Sequence, residues 1–248
     1  MSNTTLHNEN VSVTLKSLGA ELTSIKDASG TEYLWQGNPE FWSGQAPVLF
    51  PIVGCLRNGT ATIGDNKTCS FGRHGLARRL EFDLVSSSDT SITYSLKAND
   101  KTKEQYPYDF ELQMTYELTE HGVKVSHTVI NHDSVVMPYC VGGHPAFNCP
   151  VFENESFEDY IVEFEQPENA ACAQLTEDGL INNADRVSVL ENEAVIPVRH
   201  SLFYKDALVF DALKSRKVAL KHKKTGHGIL VSFPDFDYLG VWSSANDG

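Results

Sequence analysis

Apolar and polar residues alternate with a period of two along much of the chain, which is typical of strands that bury one face. The alternation is clearest from Phe110 to Leu118 and from Val123 to Val129, and it recurs at 11–15 and 92–96. Thr119–Gly122, between the two longest runs, have the length of a hairpin turn, with a glycine where positive φ costs little. We therefore predict two long antiparallel neighbouring strands.

Shorter runs of the same kind predict further strands at 160–164, 218–221 and 229–233. No apolar stripe keeps helical spacing for three turns, no repeat is evident, and no linker rich in Pro, Gly or Ser divides the chain. The sequence therefore predicts an all-β fold with one domain over residues 1–248. Many short strands in a chain of this length favour a large antiparallel sandwich with an open, elongated ligand site.

Composition narrows the class of protein and its partners. With 248 residues, 41% hydrophobic and 21% charged, the chain is long enough to bury a sizeable core without disulfides or metals. Thirty-three acidic against twenty basic residues give a net charge of -13. That charge repels polyanions, so we expect no nucleic acid and no membrane as partner. A small anionic substrate remains possible, because converging arginines act at contact distance.

The N-terminal residues, the apolar stretches and the cysteines do not indicate secretion or a membrane span. Residues 1–10 are polar, and the longest nearly apolar stretch, 46–56, is shorter than the roughly 20 residues that cross a bilayer. The five cysteines are odd in number and contain no C-x-x-C, which favours buried free thiols over a disulfide framework or a zinc knuckle. We expect a cytoplasmic protein.

Several kinds of chemistry lack their usual motifs. The nine histidines form no H-x-H or H-E-x-x-H pattern, so we expect no protein-bound metal and no other cofactor. There is no G-x-S-x-G nucleophile elbow. Gly142-Gly143 is only a glycine doublet and does not make a phosphate-binding loop.

Three segments carry residues that suit catalysis or binding. His144 follows two glycines and precedes Pro145, which suggests a presented general acid, although a structural histidine in a tight turn explains it equally well. His74 and Arg78 lie in the basic run 73–79. Its arginines, with Arg57 nearby in sequence, suit a carboxylate or phosphate; a solvated basic loop is the alternative. Asp206 interrupts an apolar run. Either a carboxylate that accepts hydrogen bonds from sugar hydroxyls or a residue in a simple turn would explain its position.

Together these segments resemble the galactose mutarotase-like superfamily, which comprises the aldose 1-epimerases and their hexose-6-phosphate relatives. The resemblance covers nearly the whole chain, with motifs in the same order. They are Leu18–Leu22, Pro47–Gly54, His74–Arg78, Gly143–Asn148, Asp206–Phe210 and Leu239–Trp242. The family fold is a large, mainly antiparallel β-supersandwich, so the resemblance implies that fold here.

The resemblance also implies roles for individual residues. His144 matches the general acid that gives a proton to the ring oxygen of the sugar, and His74 matches the histidine that orients or polarises the same region. Arg57 and Asp206 match substrate-binding positions. Arg78 keeps a phosphorylated substrate possible, but Cys55 stands where the family has an arginine directly after P-I-V-G, which argues against phosphate binding.

The family's catalytic base has no counterpart here. It is a glutamate in an E-P-W-like strand soon after the W-S-S segment, whereas no glutamate follows Glu193. The resemblance thus implies either a domain that lacks its C-terminal strands in the given sequence or a protein without the standard base.

Two functions follow from the resemblance. The first is an aldose 1-epimerase, an isomerase acting on a hexose or hexose phosphate by acid–base ring opening without a cofactor, as a monomer or homodimer. The second is a non-catalytic sugar-binding or regulatory module. A glycoside hydrolase would need two carboxylates flanking the scissile bond, and no such pair is marked in the sequence.

Overall fold

Strands dominate the structure. The computed structural model describes residues 2–64 and 66–244, with 48% of the residues in strands and 8% in helices. The prediction of an all-β fold is confirmed.

Two compact units divide the chain. The first comprises Met1–Gly37 and Gly44–Ala146, and the second comprises Asn38–Ser43 and Phe147–Gly248. Compact units of this kind can belong to one domain, so the expectation of a single domain over 1–248 stays a prediction.

The first unit contains strands β1 to β11, one α-helix and two 3-10 helices. Their bounds are β1 Asn3–His7, β2 Val11–Lys16, β3 Glu21–Asp27, β4 Val48–Leu49, β5 Thr60–Ile63, β6 Lys67–Ser70, β7 Asp83–Ser87, β8 Ser91–Lys97, α1 Asp100–Gln105, β9 Phe110–Leu118, β10 Val123–Asn131 and β11 Gly142–Gly143, with 3-10 helices at Arg57–Gly59 and Ala77–Arg79. The strands form antiparallel sheets of order β1-β2-β3 and β10-β9-β8-β7 and the pairs β11-β4 and β5-β6.

The second unit contains the remaining six strands. They are β12 Tyr160–Leu175, β13 Ile181–Pro197, β14 Leu208–Phe210, β15 Lys217–His222, β16 Gly228–Ser232 and β17 Leu239–Val241, with 3-10 helices at Phe157–Asp159 and His200–Phe203. They form an antiparallel sheet of order β13-β12-β15-β16 and the pair β14-β17. Its core includes Tyr160, Phe164 and Phe210.

The predicted hairpin is present. β9 and β10 pair from Leu118 with Val123 to Phe110 with Asn131, and β9 buries alternate apolar residues such as Leu112 and Met114. The Thr119 N–H closes the turn onto the Gly122 carbonyl at 2.9 Å. The prediction of positive φ at Gly122 is wrong, because its φ lies outside the left-handed region. An added Cβ would only contact Thr119 Oγ1 at 3.5 Å.

A buried carboxylate orders the chain before β4. Glu21 is 5% exposed, and its Oε1 accepts hydrogen bonds from the backbone N–H groups of Gln45 at 3.0 Å and Ala46 at 2.8 Å. The Lys16 ammonium lies 2.6 Å from Oε2. Because a buried carboxylate needs such partners, Glu21 fixes the path of the chain into β4.

The end of β4 meets the loop 72–77 backbone to backbone. The Phe50 carbonyl accepts from the N–H groups of Leu76 at 2.9 Å and Ala77 at 3.3 Å. Gly75 has φ +76°, and an added Cβ would lie 2.2 Å from the Phe50 oxygen. Only glycine combines that φ with so close an approach, so Gly75 determines how this loop sits on β4.

We expect Gly75→Ala to lower the free energy of unfolding by about 2 to 4 kcal/mol, because it adds both backbone strain and a clash with a carbonyl. Urea denaturation followed by circular dichroism measures the change. Gly72→Ala is the matched control, since Gly72 lies in the same loop and an added Cβ meets nothing within 4 Å; it should change stability by less than about 0.5 kcal/mol. Equal effects of the two substitutions would contradict this account of the loop.

Candidate active site

His74 is held by two hydrogen bonds to one glycine. Its N–H donates to the Gly54 carbonyl at 2.8 Å, and the Gly54 N–H donates to His74 Nδ1 at 3.0 Å. A ring nitrogen that accepts a hydrogen bond carries no proton. In this arrangement His74 is therefore a neutral imidazole with its hydrogen on Nε2, which makes Nε2 a donor.

His144 is positioned by the pairing of β11 with β4. Gly142 pairs with Leu49 and Gly143 with Val48, and the His144 N–H continues the ladder to the Pro47 carbonyl at 3.1 Å. The side chain is half-buried, and its ring centroid lies 5.5 Å from that of His74, with 73° between the ring planes. The structure thus brings the two candidate catalytic histidines together.

Burial and nearby arginines control the charge of His144. Burial lowers its pKa below the usual 6.5, and the positive charges of Arg78 and Arg73 lower it further. Burial also lowers the pKa of the Arg78 guanidinium, an effect that Arg79 increases and Glu21 opposes. His144 is therefore mainly neutral at pH 7, in a positive local field despite the net charge of -13.

Arg57 is less closely tied to the histidine pair. It begins a 3-10 helix and is exposed. Two residues before it, Cys55 Sγ accepts a hydrogen bond from Arg73 Nε at 3.3 Å. A binding role for Arg57 stays a prediction.

Asp206 belongs to the second unit. It has φ +73°, and its Oδ1 accepts from the Ala207 N–H at 2.8 Å, immediately before β14. The half-buried carboxylate thus takes part in a turn, which is one of the two interpretations that the sequence offered for Asp206. Its role toward a sugar also stays a prediction.

Two residues next to the histidine pair were not among the predicted site residues. Arg73 was noted only as part of the basic run, although it acts on His144 electrostatically. His127 on β10 packs against the chain before His144, because a Cβ on Gly143 would lie 3.9 Å from its Cε1 and Nε2. Burial lowers the pKa of His127 to about 4. The available signal was a histidine in an otherwise apolar row of the strand.

The cysteines follow the expectation only in part. All five are free thiols, with Cys69 and Cys172 buried, but Cys140 is exposed, so the expectation of burial was wrong there. Its N–H donates to the Pro51 carbonyl at 2.9 Å. Within 2–64 and 66–244, no three His, Cys, Asp or Glu side chains are grouped to hold a metal ion. In the same ranges no helix has the length and apolar character needed to cross a membrane.

Comparison with known proteins identifies the family. The family model for aldose 1-epimerase matches residues 2–247. The chain is 43% identical over 247 residues to the plasmid-encoded protein LacX of Lactococcus lactis subsp. lactis, covering 97% of this chain and 83% of LacX.

Two solved structures are similar over nearly the whole chain. A galactose mutarotase related enzyme from Lactobacillus acidophilus has a TM-score of 0.92 at 32% identity, covering 98% of this chain and 81% of that one. A galactose mutarotase-like protein from Lactobacillus casei has a TM-score of 0.90 at 31% identity, covering 98% and 83%. The fold is therefore of the galactose mutarotase-like class. The chain belongs to the aldose 1-epimerase family, and the resemblance seen in the sequence is confirmed.

The lowered pKa of His127 predicts a stability that depends on pH. The unfolded chain binds a proton at this histidine near the usual 6.5, whereas the folded chain binds it only near 4. Stability is therefore lost as the pH falls through this window, and His127 accounts for about 1 to 3 kcal/mol of the loss. Urea denaturation between pH 7 and pH 4 should show a shallower decline for His127→Gln.

His121→Gln is the matched control, because the His121 side chain is 73% exposed in the β9–β10 turn. That variant should reproduce the pH dependence of the unmodified protein. An equally steep decline in His127→Gln would show that His127 is not the group responsible.

Proposed function

We propose that the protein is an aldose 1-epimerase that interconverts the α and β anomers of a hexose or related aldose. The observation that carries the proposal is the His74–His144 pair, with ring centroids 5.5 Å apart on two backbone segments that β4 and its following turn hold in place. Membership of the aldose 1-epimerase family supports an isomerase of this kind.

In the proposed mechanism His144 gives a proton to the ring oxygen as the hemiacetal opens, and a solvent water takes the proton of the anomeric hydroxyl. The aldehyde carbon then rotates by about half a turn, and the ring closes on its other face while His144 recovers its proton and water returns one to the former carbonyl oxygen. A histidine with a lowered pKa is a stronger acid when protonated, although a smaller fraction carries the proton at neutral pH. The same group can therefore serve opening and closing without a metal or organic cofactor.

His74 has a different part in this proposal. Because its Nδ1 accepts from the Gly54 N–H, Nε2 keeps its hydrogen and can donate to a sugar oxygen in the same region. The proposal assigns His144 as the acid and His74 as the orienting donor. It assigns no residue of the given sequence to the family's glutamate base.

The proposed substrate is a small sugar, which Asp206 would bind by accepting from its hydroxyl groups. Arg78 and Arg73 act electrostatically on His144, so a hexose 6-phosphate belongs in the proposed range beside free glucose and galactose. We propose that the protein acts in the cytoplasm, as a monomer or homodimer.

Polarimetry of freshly dissolved α-glucose, α-galactose and their 6-phosphates tests the activity. We expect acceleration of mutarotation for at least one of them, and a loss of about 100-fold to 10,000-fold in kcat/KM for His144→Gln. For the unmodified protein kcat/KM should rise as the pH falls from 8 toward 6, by up to about tenfold per unit, because the protonated fraction of His144 grows. His144→Gln should lack this rise.

His121→Gln should leave the rates unchanged, and circular dichroism should show that both variants are folded. Calorimetric sugar binding without any acceleration would instead select the non-catalytic module. No acceleration and no binding would reject both functions.

Asp206→Asn should raise KM about tenfold or more with a smaller change in kcat, because a neutral amide is a weaker acceptor for sugar hydroxyls than a carboxylate. Initial rates across a range of sugar concentrations separate the two constants. Asp178→Asn is the control, since Asp178 lies exposed in the β12–β13 turn. An unchanged KM in Asp206→Asn would remove Asp206 from the binding site.

A further inference from the structure

The second unit contains a polar network that the proposed reaction does not use. Its members are Glu155, Tyr160, His222, Thr225 and His227. They connect the segment before β12 with the turn between β15 and β16. The His222 and His227 rings stack with centroids 5.2 Å apart and 11° between their planes, so both are held in fixed orientations.

One end of the network fixes where a hydrogen lies. His222 Nδ1 accepts from the backbone N–H groups of Lys224 at 3.3 Å and Thr225 at 3.1 Å, so it carries no proton. Thr225 Oγ1 lies 2.9 Å from the same nitrogen. Between an unprotonated nitrogen and a hydroxyl, the hydroxyl must be the donor. The Thr225 oxygen can then accept from His227 Nδ1, which lies 2.7 Å away.

The other end surrounds His227 Nε2 with acceptors. The Glu155 carboxylate oxygens lie 3.1 and 3.2 Å from it. The Tyr160 hydroxyl donates to Glu155 Oε2 at 2.5 Å and accepts from the Val151 N–H at 2.9 Å. Its only hydrogen therefore points to the carboxylate, although its oxygen is 3.1 Å from Nε2. Nε2 must donate to Glu155 for these contacts to be favourable.

Both ring nitrogens of His227 thus face acceptors. A neutral ring with its hydrogen on Nδ1 would place Nε2 against the carboxylate with no hydrogen between them. A neutral ring with its hydrogen on Nε2 would make the Thr225 hydroxyl turn to Nδ1 and give up its bond to His222. The imidazolium alone supplies a hydrogen to every contact in the network.

We propose that His227 is a proton-binding switch whose charged form fastens the segment Val151–Glu155 to the β15–β16 turn. Losing the proton removes the ion pair with Glu155 and turns the Thr225 hydroxyl, so this segment loosens as the pH rises. The segment follows the G-H-P-A-F-N motif within a few residues of chain. The proposal does not depend on the proposed sugar chemistry.

The surrounding charges agree with this assignment. Burial alone would raise the pKa of Glu155, but the hydrogen bonds from Tyr160 and His227 outweigh it and keep the pKa below its usual value. Burial and Glu155 raise the pKa of the Cys149 thiol to about 12, and burial also raises that of Tyr160, so both stay neutral. Asp159 and Lys223, 3.1 Å apart, compensate each other. Within the network itself, His222 is the remaining ionisable side chain.

Nitrogen-15 NMR of the histidine rings between pH 5 and pH 9 tests the proposal, with His227→Gln identifying the resonances. The titration midpoint of His227 should fall by about one pH unit or more in Glu155→Gln, because that variant removes the negative charge. Thr225→Val, which keeps the side-chain shape, should also lower the midpoint and serves if Glu155→Gln fails to fold. His121 is the internal control and should not shift. Equal His227 midpoints in the unmodified protein and in a folded variant would overturn the proposal.

Hydrogen exchange tests the loosening itself. The protection factor of the Val151 amide, corrected for the intrinsic dependence of exchange on pH, should fall across the His227 titration in the unmodified protein. In His227→Gln it should be low at every pH. Constant Val151 protection through that titration would overturn the switch.

Discussion

The close approach of the Gly75 backbone to the Phe50 carbonyl is the constraint on which the histidine pair depends. It places the loop 72–77 against the end of β4, where the Gly54 N–H reaches His74 Nδ1 at 3.0 Å. The same strand pairs with Gly142 and Gly143 on its other side. Two histidines that are 70 positions apart in the chain are therefore both positioned by residues 47–54. Because backbone groups make these contacts, the geometry is less sensitive to side-chain changes than a site built on long flexible residues.

The local charge around the histidine pair is opposite in sign to the net charge of the whole chain. A net charge of -13 acts over distances at which salt screens it, whereas Arg73 and Arg78 act on a half-buried imidazole. Glu21 links this field to the fold, since it orders the chain before β4 through Gln45 and Ala46 and opposes the lowering of the Arg78 pKa. One buried carboxylate thus supports both the backbone path and the charge at the site.

Alternation of apolar residues was enough to predict the fold class and the β9–β10 hairpin, because burial of one face repeats along each strand. His74 and His144 could be chosen because glycines and prolines beside them report unusual backbone. The prediction of positive φ at Gly122 is wrong, since a turn of that length also closes without positive φ. Exposure of Cys140 and the contact of His127 with Gly143 depend on which segments the fold brings together, and a local pattern does not contain that information.

Histidine charge shows most clearly what sequence alone leaves open. His74, His222 and His227 are the same residue type, yet backbone N–H groups donate to Nδ1 of the first two, whereas both nitrogens of His227 face oxygen atoms that accept. Nδ1 of His74 and Nδ1 of His222 are therefore unprotonated. Only the imidazolium form of His227 has a hydrogen to donate to each of its oxygen partners. The donors to His222 are local, at positions 224 and 225. The deciding partner of His74 is 20 positions away and the carboxylate beside His227 is 72 positions away, so the neighbours of these two histidines in the chain do not reveal their partners. The fold determines the protonation state by deciding whether each ring meets a donor or an acceptor.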